Sequence, residues 1–434
     1  MKIVFVSNYI NHHQLPFCEA MLRELGEENF IFAALQPIEE ERLKMGWGEL
    51  RALPFVKNYY EEPEETRKLI LNCDVLLFGG MEQEELVYER MKKNLPVLRI
   101  SERIYKEGQW KAVSPRGLIH KYREFTRFRR RNCWLLCAGA YVASDFALIR
   151  SFPEKKLTWG YFPRVREQEP EKLFALKEQK KNAEGSEEIR ILWSGRFVDF
   201  KHIEDMLDLI DRTAAEYLPE HPEKHLRFEI IGGGEGEELL KEKMMGWPPG
   251  LVTFSGFMTP EEVRNRMERA HIYVFTSGQG EGWGAVVNEA MNSGCTVLAG
   301  IRAGAVPSLI CQGENGLIYE NKDSEDLYRK LIFLIEQPEL RRKLGENAIR
   351  TVEKLWNADT AAVRLTAFCS ALLEGKEIIL PEQGPMSRAK ELKPFPRVES
   401  LEELEKIQRF SEVQPGTSSG LTPDVVSPSD EAQG

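Results

Sequence analysis

At 434 residues the chain is long enough for two domains of ordinary size, and with 42% hydrophobic and 29% charged residues each half can bury a core. A formal net charge of -10 excludes a general nucleic-acid-binding surface, which would be basic. Seven cysteines, an odd count scattered from Cys18 to Cys369, argue against a disulfide framework, and no His/Cys cluster has zinc spacing, so no metal site is expected. The first apolar stretch, Lys2-Ile3-Val4-Phe5-Val6, is too short for a signal peptide, and no run approaches the ~18 apolar residues of a membrane span. The expectation is a cytoplasmic protein, at most peripheral at the inner face of the cell membrane.

Residues 1–163 alternate short apolar runs with amphipathic segments. Ile3–Val6, Phe30–Ala34, Val75–Phe78, Val97–Ile100 and Trp134–Ala138 read as buried strands, and stretches near 14–26, 62–72, 83–94, 115–131 and 141–151 read as helices. That alternation predicts βαβ units and a parallel sheet. Residues 164–188 are polar and read as a linker with one exposed helix. The pattern restarts over 189–355, with strands Ile189–Trp193, Arg227–Ile231, Val252–Phe254, Ile272–Phe275 and Thr296–Ala299 between helices. A helix over 356–373 follows the completed second sheet and is expected to cross back to the first domain. Residues 374–434 shift toward Pro, Ser, Glu and Lys and predict a mostly disordered tail, save for the capping box Ser400-Leu401-Glu402-Glu403, which predicts a short docked helix. The fold class is therefore α/β, two Rossmann-like doubly wound domains facing a cleft.

The strand Ile272–Phe275 runs into a loop with glycines at 280, 282 and 284, and a helix begins near Ala285. In an open α/β sheet this junction lies at the carboxyl edge, where ligands collect and helix-start amides favour anions. Glu281 and Glu289 bracket it, roughly 10–12 Å apart if the run is mostly helical. That spacing fits two ends of one extended ligand and is too wide for a retaining glycosidase pair, which needs about 5 Å. After the strand Ile189–Trp193 come Gly195, Arg196 and then Lys201 at the same sheet edge, a natural diphosphate clamp. Gly232-Gly233-Gly234-Glu235-Gly236 lacks the spacing of a dinucleotide fingerprint, and reads either as a tight strand-to-helix turn or as a place where a ligand meets the backbone.

On the first-domain side, His12 and His13 follow the first strand, and Glu102 and Arg103 follow the strand Val97–Ile100. All four are candidates for acceptor binding or proton transfer. Segment 116–131 carries Arg116, Lys121, Arg123, Arg127, Arg129, Arg130 and Arg131 against one acid, Glu124, with Ile119, Tyr122, Phe125 and Phe128 interleaved. It suits an anionic membrane surface, or a solvated helix whose apolar stripe packs inward.

Taken together, these residues resemble the retaining GT-B glycosyltransferases of family 4. The match runs from the first strand to about residue 373 and rests most on Glu281 and Glu289 with Gly282-Trp283-Gly284 between them, joined by Ser194-Gly195-Arg196, Lys201 and Asn315-Gly316-Leu317. The resemblance implies a nucleotide-sugar co-substrate in the interdomain cleft and no other cofactor. It makes Glu281, Arg196 and Lys201 the catalytic set: the two cations would neutralise the diphosphate leaving group without metal, and Glu281 would meet donor-sugar hydroxyls. Gly282, Trp283 and Gly284 would line the donor with their amides, Glu289 would take the ribose, Gly195 and Gly234 would also bind the donor, and the backbone at Phe257 and Met258 would meet the base. The acceptor would be a glycan or lipid-linked molecule in surface polysaccharide or glycolipid synthesis. Two departures touch the first domain and the donor loop: Asn11-His12-His13 stands where many relatives have a Gly-rich turn, and Thr276-Ser277 replaces the usual Pro-Ser. Two rivals use the same fold: a nucleotide-sugar epimerase or phosphorylase, separated by whether glycan formation is coupled to nucleotide release, and a non-catalytic nucleotide-sugar-binding subunit, which would bind donor without turnover.

Overall fold

The computed structural model describes residues 1–44, 50–79, 85–166, 169–178, 188–393 and 396–406. Among them, β1 (Ile3–Ser7), β2 (Phe30–Ala34), β3 (Val56–Asn58), β4 (Val75–Gly79), β5 (Val97–Ser101), β6 (Cys133–Ala138) and β7 (Lys156–Trp159) form one parallel sheet. Its order is β3-β2-β1-β4-β5-β6-β7. A second parallel sheet contains β8 (Glu188–Phe197), β9 (His225–Gly234), β10 (Val252–Phe254), β11 (Ile272–Phe275), β12 (Thr296–Gly300) and β13 (Leu317–Tyr319), ordered β10-β9-β8-β11-β12-β13. Helices cover both faces, so the central strands are apolar throughout; every residue of β1, β11 and β12 is buried.

In each sheet the strand order reverses beside the first strand, between β1 and β4 and between β8 and β11. Such switch points open a crevice at the carboxyl ends of the strands. The loop carrying His12 and His13 leaves β1, the turn carrying Lys201 leaves β8, and the glycine loop leaves β11. Topology alone thus places the loops that carry His12, His13, Lys201 and Glu281 at the carboxyl ends of the strands.

Three short strands escaped the sequence reading. β3, β7 and β13 span three or four residues each, and β3 and β7 carry Lys57 and Lys156, which interrupt any apolar run. The segment 115–131 is not one helix: the helix ends at Glu124, a 3-10 turn covers Thr126–Phe128, and only Phe125 and Phe128 of the expected stripe are buried. Ile119 and Tyr122 stay exposed, because the helix Pro115–Glu124 buries none of its residues.

The linker helix Pro170–Glu178 is not exposed along its whole length. Leu173 and Phe174 pack on Ile349, and the buried Lys177 ammonium donates to the Met267 carbonyl at 3.1 Å and to that of Ala270. Residues 179–187 of the linker lie outside the described residues. The helix Ala358–Glu374, capped by Asn357, packs on Leu15–Leu25 of the first domain, where Arg23 pairs with Asp359 at 2.6 Å.

The tail differs from expectation over its first half. Composition predicts disorder, yet Met386 and Ala389 amides donate to the Thr158 and Lys156 carbonyls at 2.8 and 3.0 Å, so residues 386–389 pair along β7 and cover the edge of the first sheet. Met386 is buried, which supplies the apolar anchor that polar composition hid. Further on, 401–406 is helical: Ser400 and Glu403 form the capping box, Leu401 and Leu404 are buried against the second domain, and Arg329 pairs with Glu402. Residues 407–434 lie outside the described residues.

Candidate functional site

The second-domain half of the site is built on the end of β8. A single 3-10 turn, Asp199–Lys201, closes at His202, whose φ of 47° is left-handed. Thr276 fixes this turn: its hydroxyl donates to the Lys201 carbonyl at 2.6 Å and accepts the Trp193 indole N–H at 2.9 Å. Asn321 in turn donates to the Thr276 and Ser277 carbonyls at 3.3 and 3.2 Å. The Thr276-Ser277 departure therefore has a local role, holding the Lys201 backbone in place. The Lys201 ammonium forms an ion pair with the Glu281 carboxylate, both side chains being mostly buried. Arg196, near the end of the same strand, makes no side-chain hydrogen bond or ion pair among the described residues.

The glycine loop is shaped by close approach. Gly284 adopts φ 101° at the start of the helix Ala285–Asn292, a conformation that strains any residue with a Cβ. A Cβ on Gly282 would stand 2.0 Å from the Glu102 carboxylate, so the first domain reaches into this loop. Glu102 is steadied by Lys106 at 2.7 Å. Trp283, expected among donor-lining residues, has its side chain in the core between the domains. Its ring is 1% exposed, packs on Trp356 with centroids 5.6 Å apart, and donates to Asn288 Oδ1 at 2.7 Å. Only its backbone faces the loop, because the indole is the largest apolar surface available to seal the two domains together.

Four residues into the helix, Glu289 points back toward the first domain, with its Oε1 3.6 Å from His13 Nδ1. A cavity of about 210 Å³ opens here, lined by His12, His13, Tyr161, Arg264, Asn288 and Glu289 among others. Burial pushes the Glu289 carboxyl up to about 7, although the nearby Arg264 guanidinium pulls it back. Burial lowers His12 to about 4 and His13 well below its ordinary value, with further lowering by Arg264. Near neutrality both imidazoles are uncharged, and Glu289 can accept or donate a hydrogen bond, which suits hydroxyl partners. His12, His13 and Glu289 also bring potential ligand atoms within 4.8 Å of one another, a donor set of the type that holds zinc. Sequence spacing could not show it, since the two histidines come from the first domain and Glu289 from the second.

Other predicted residues are placed less centrally. Arg103 is buried, its fork lying on Asp145 with both contacts at 3.3 Å, and Asp145 also takes the Tyr105 amide and the Gln109 side chain. Arg103 is therefore committed to the first-domain core rather than to an acceptor, the preceding strand turning its side chain inward. Gly195 pairs with Gly232, and Arg196 and Phe197 with Gly233 and Gly234. A Cβ on Gly232 would meet the Gly195 carbonyl at 1.8 Å, so the glycine run first serves this strand contact. Phe257 is exposed and Met258 half-buried in the loop before the helix Pro260–Met267. Arg264, Tyr161 and Asn288 were missed. Arg264 lies on a polar surface-type helix, and Tyr161 and Asn288 carry no motif; the Asn288 amide donates to the Tyr161 carbonyl at 3.1 Å.

Two doubly wound domains that face each other across cation- and glutamate-bearing switch-point loops define the GT-B architecture. Residues 175–351 match the family described as glycosyl transferases group 1. A sulfoquinovosyl transferase of Arabidopsis thaliana is 28% identical over 257 residues, 58% of this chain and 46% of the relative. A D-inositol 3-phosphate glycosyltransferase of Corynebacterium jeikeium is 31% identical over 159 residues, 35% of this chain and 38% of the relative. The matches thus span about half, or less, of the length of these curated relatives. The crystal structure of Anabaena Alr3699/HepE in complex with UDP superposes with a TM-score of 0.63 at 15% identity, covering 86% of this chain and all of that one, a likeness of fold. Among the described residues no helix is long and apolar enough to cross a membrane.

Proposed function

We propose that the protein is a retaining glycosyltransferase that moves a sugar from a nucleotide-sugar donor to a glycan or lipid-linked acceptor in surface polysaccharide or glycolipid synthesis. The observation that carries this reading is the pairing of Lys201 with Glu281 at the switch-point crevice, near the end of the strand that carries Arg196, whose side chain has no hydrogen bond or ion pair among the described residues. An incoming diphosphate competes with Glu281 for Lys201 and recruits Arg196, which frees the Glu281 carboxylate for sugar hydroxyls. The two cations then stabilise the charge that builds on the leaving diphosphate as the anomeric C–O bond breaks through an oxocarbenium-like state. With that charge met by side chains, the step requires no divalent metal. The acceptor attacks from the face the diphosphate leaves, giving retention, and the departing phosphate oxygen takes its proton. Glu289 binds the ribose at the far end of the donor, where His12 and His13 line the same cavity, and Glu102 faces the reacting sugar from the first domain. The complexes of HepE with UDP and with UDP-glucose support a nucleotide-sugar as donor by likeness of fold.

The acceptor half of the reading draws support from the helix Pro115–Glu124 and the turn before it. Trp110, Val113, Ile119 and Tyr122 are 69%, 79%, 55% and 57% exposed among Lys111, Arg116 and Arg123. Exposed aromatic and aliphatic groups interleaved with cations suit peripheral docking on an anionic membrane. A thermal-shift screen of UDP-, GDP-, ADP- and dTDP-sugars tests the donor claim. One of the four raises the melting temperature of the wild type and raises it less in Arg196→Ala; no shift with any of them removes the reading.

A further inference from the structure

Away from the donor cleft, the first domain contains a second cavity, of about 550 Å³, that the transfer reaction does not use. Arg129, Arg130, Arg150 and Lys156 line it, with Ser151 and Glu391 among the neighbouring groups. Lys156 is buried and already neutralised by an ion pair with Glu391. The three arginines make no side-chain hydrogen bond or ion pair among the described residues. Three guanidinium groups on one concavity repel one another, and only Glu154 remains among the lining acids to offset them.

The backbone holds this arrangement against its own preference. Arg150, Phe152 and Glu154 all have left-handed φ, at 51°, 51° and 58°. Each such residue costs on the order of 1 kcal/mol or more and persists only where its surroundings over-determine it. Here Phe152 is buried between Phe125 and Phe146, with ring centroids 6.3 and 5.5 Å away. The Thr126 hydroxyl donates to the Ile149 carbonyl at 3.0 Å and accepts from the Ser151 hydroxyl at 2.9 Å. The strained loop and the turn bearing Arg129 and Arg130 are thereby locked together, which fixes the backbone from which the three exposed arginines extend.

We propose that this cavity is a second anion site, for a phosphomonoester or diphosphate group, distinct from the donor site and resting on no part of the transferase reading. Planar guanidinium forks match the oxygens of such a group, and their charge favours it over a neutral sugar. A cavity of this volume holds a headgroup or a small phosphorylated metabolite, but not a folded partner. The phosphate is carried either by a membrane lipid or by a soluble molecule.

The test titrates inorganic pyrophosphate into the full chain by calorimetry, in an Arg196→Ala, Lys201→Ala background that disables the donor cleft. Two variants are added separately: Arg129→Ala with Arg130→Ala, and Arg150→Gly, where glycine accepts the left-handed φ without strain and so protects the fold. Binding is expected in the background protein, with a loss of about tenfold in affinity in Arg150→Gly, the size of one charge-assisted contact, and at least that loss in the variant lacking both Arg129 and Arg130. Unchanged melting temperatures show that the loss is local. Absence of pyrophosphate binding in the background protein, or affinities within twofold in both variants, overturns the proposal. Flotation with vesicles of phosphatidylcholine, alone or with phosphatidic acid, identifies the source. Loss of phosphatidic acid-dependent flotation with the arginines assigns the site to a lipid headgroup, and retained flotation with lost pyrophosphate binding assigns it to a soluble phosphate.

Discussion

The Lys201 ammonium rests on the Glu281 carboxylate, so the cation that would hold a leaving diphosphate is already held by the residue that would orient the sugar. Both side chains are mostly buried, at 14% and 16% exposure, so removing one partner leaves the other an uncompensated charge. Replacing Lys201 with Ala should weaken nucleoside-diphosphate binding by about 1.5–3 kcal/mol. Replacing Glu281 with Gln should do the opposite, tightening nucleoside-diphosphate binding while lowering kcat, because the competing anion is gone and the sugar loses its acceptor of hydrogen bonds. Calorimetry on the two variants measures both signs; equal weakening by both would remove the competition.

The contact between Gly282 and Glu102 predicts a coupling between domains. A Cβ at 282 collides with the end of a flexible carboxylate at 2.0 Å, which can swing away, whereas a Cβ at Gly304 meets the fixed Gly282 carbonyl at 1.9 Å. Gly282→Ala should therefore fold with a near-normal melting temperature and copy Glu102→Ala in its acceptor KM. The double variant should then be no worse than either single one. Gly304→Ala should melt several degrees lower, since backbone must shift. Additive effects of Gly282→Ala and Glu102→Ala on KM would show that they do not share a contact.

Arg103 and Asp145 are 4% and 0% exposed, so removing one leaves the other charged and buried. Asp145→Ala should cost about 3–5 kcal/mol of stability in urea unfolding. Donor affinity of the folded fraction should be unchanged, in keeping with a residue outside the cleft.

The cleft groups give opposed pH dependences. Glu289, raised from 4.5 to about 7, contributes stability that is complete below about pH 4.5 and is lost as pH rises through 7. His12, lowered from 6.5 to about 4, contributes stability present above pH 6.5 and lost as pH falls through 4. In the wild type the two slopes oppose each other between these values. Glu289→Gln should remove the loss on the alkaline side and leave a stability that rises with pH from 4 to 6.5. Urea unfolding across pH 4–8 checks it, and parallel curves for the two proteins would contradict the assignment.

Much of this was legible in the sequence because it rests on local signals. Ile272–Phe275 is apolar and bounded by turn residues, and the glycines at 282 and 284 announce a close backbone approach that Glu102 and a φ of 101° explain. What stayed hidden depends on partners far away in the chain. Arg103 reads like a cleft residue until Asp145 is seen beneath it, and Trp283 reads like a ligand-facing aromatic until Trp356 covers it. Arg264 enters the cleft from a helix whose own sequence is merely polar. Residues 386–389 read as disordered because hydrogen bonding along an open sheet edge leaves no compositional trace.

The central claim is a retaining transfer in which side chains, not a metal, meet the charge of the leaving diphosphate. Its most direct test is the proton NMR spectrum of the anomeric product, recorded with the donor found by thermal shift, a suitable acceptor and excess chelator. The expected product keeps the donor's anomeric configuration, forms at an undiminished rate under chelation and is lost in Lys201→Ala. An inverted anomeric centre, or transfer that appears only when a divalent metal is restored, would contradict it.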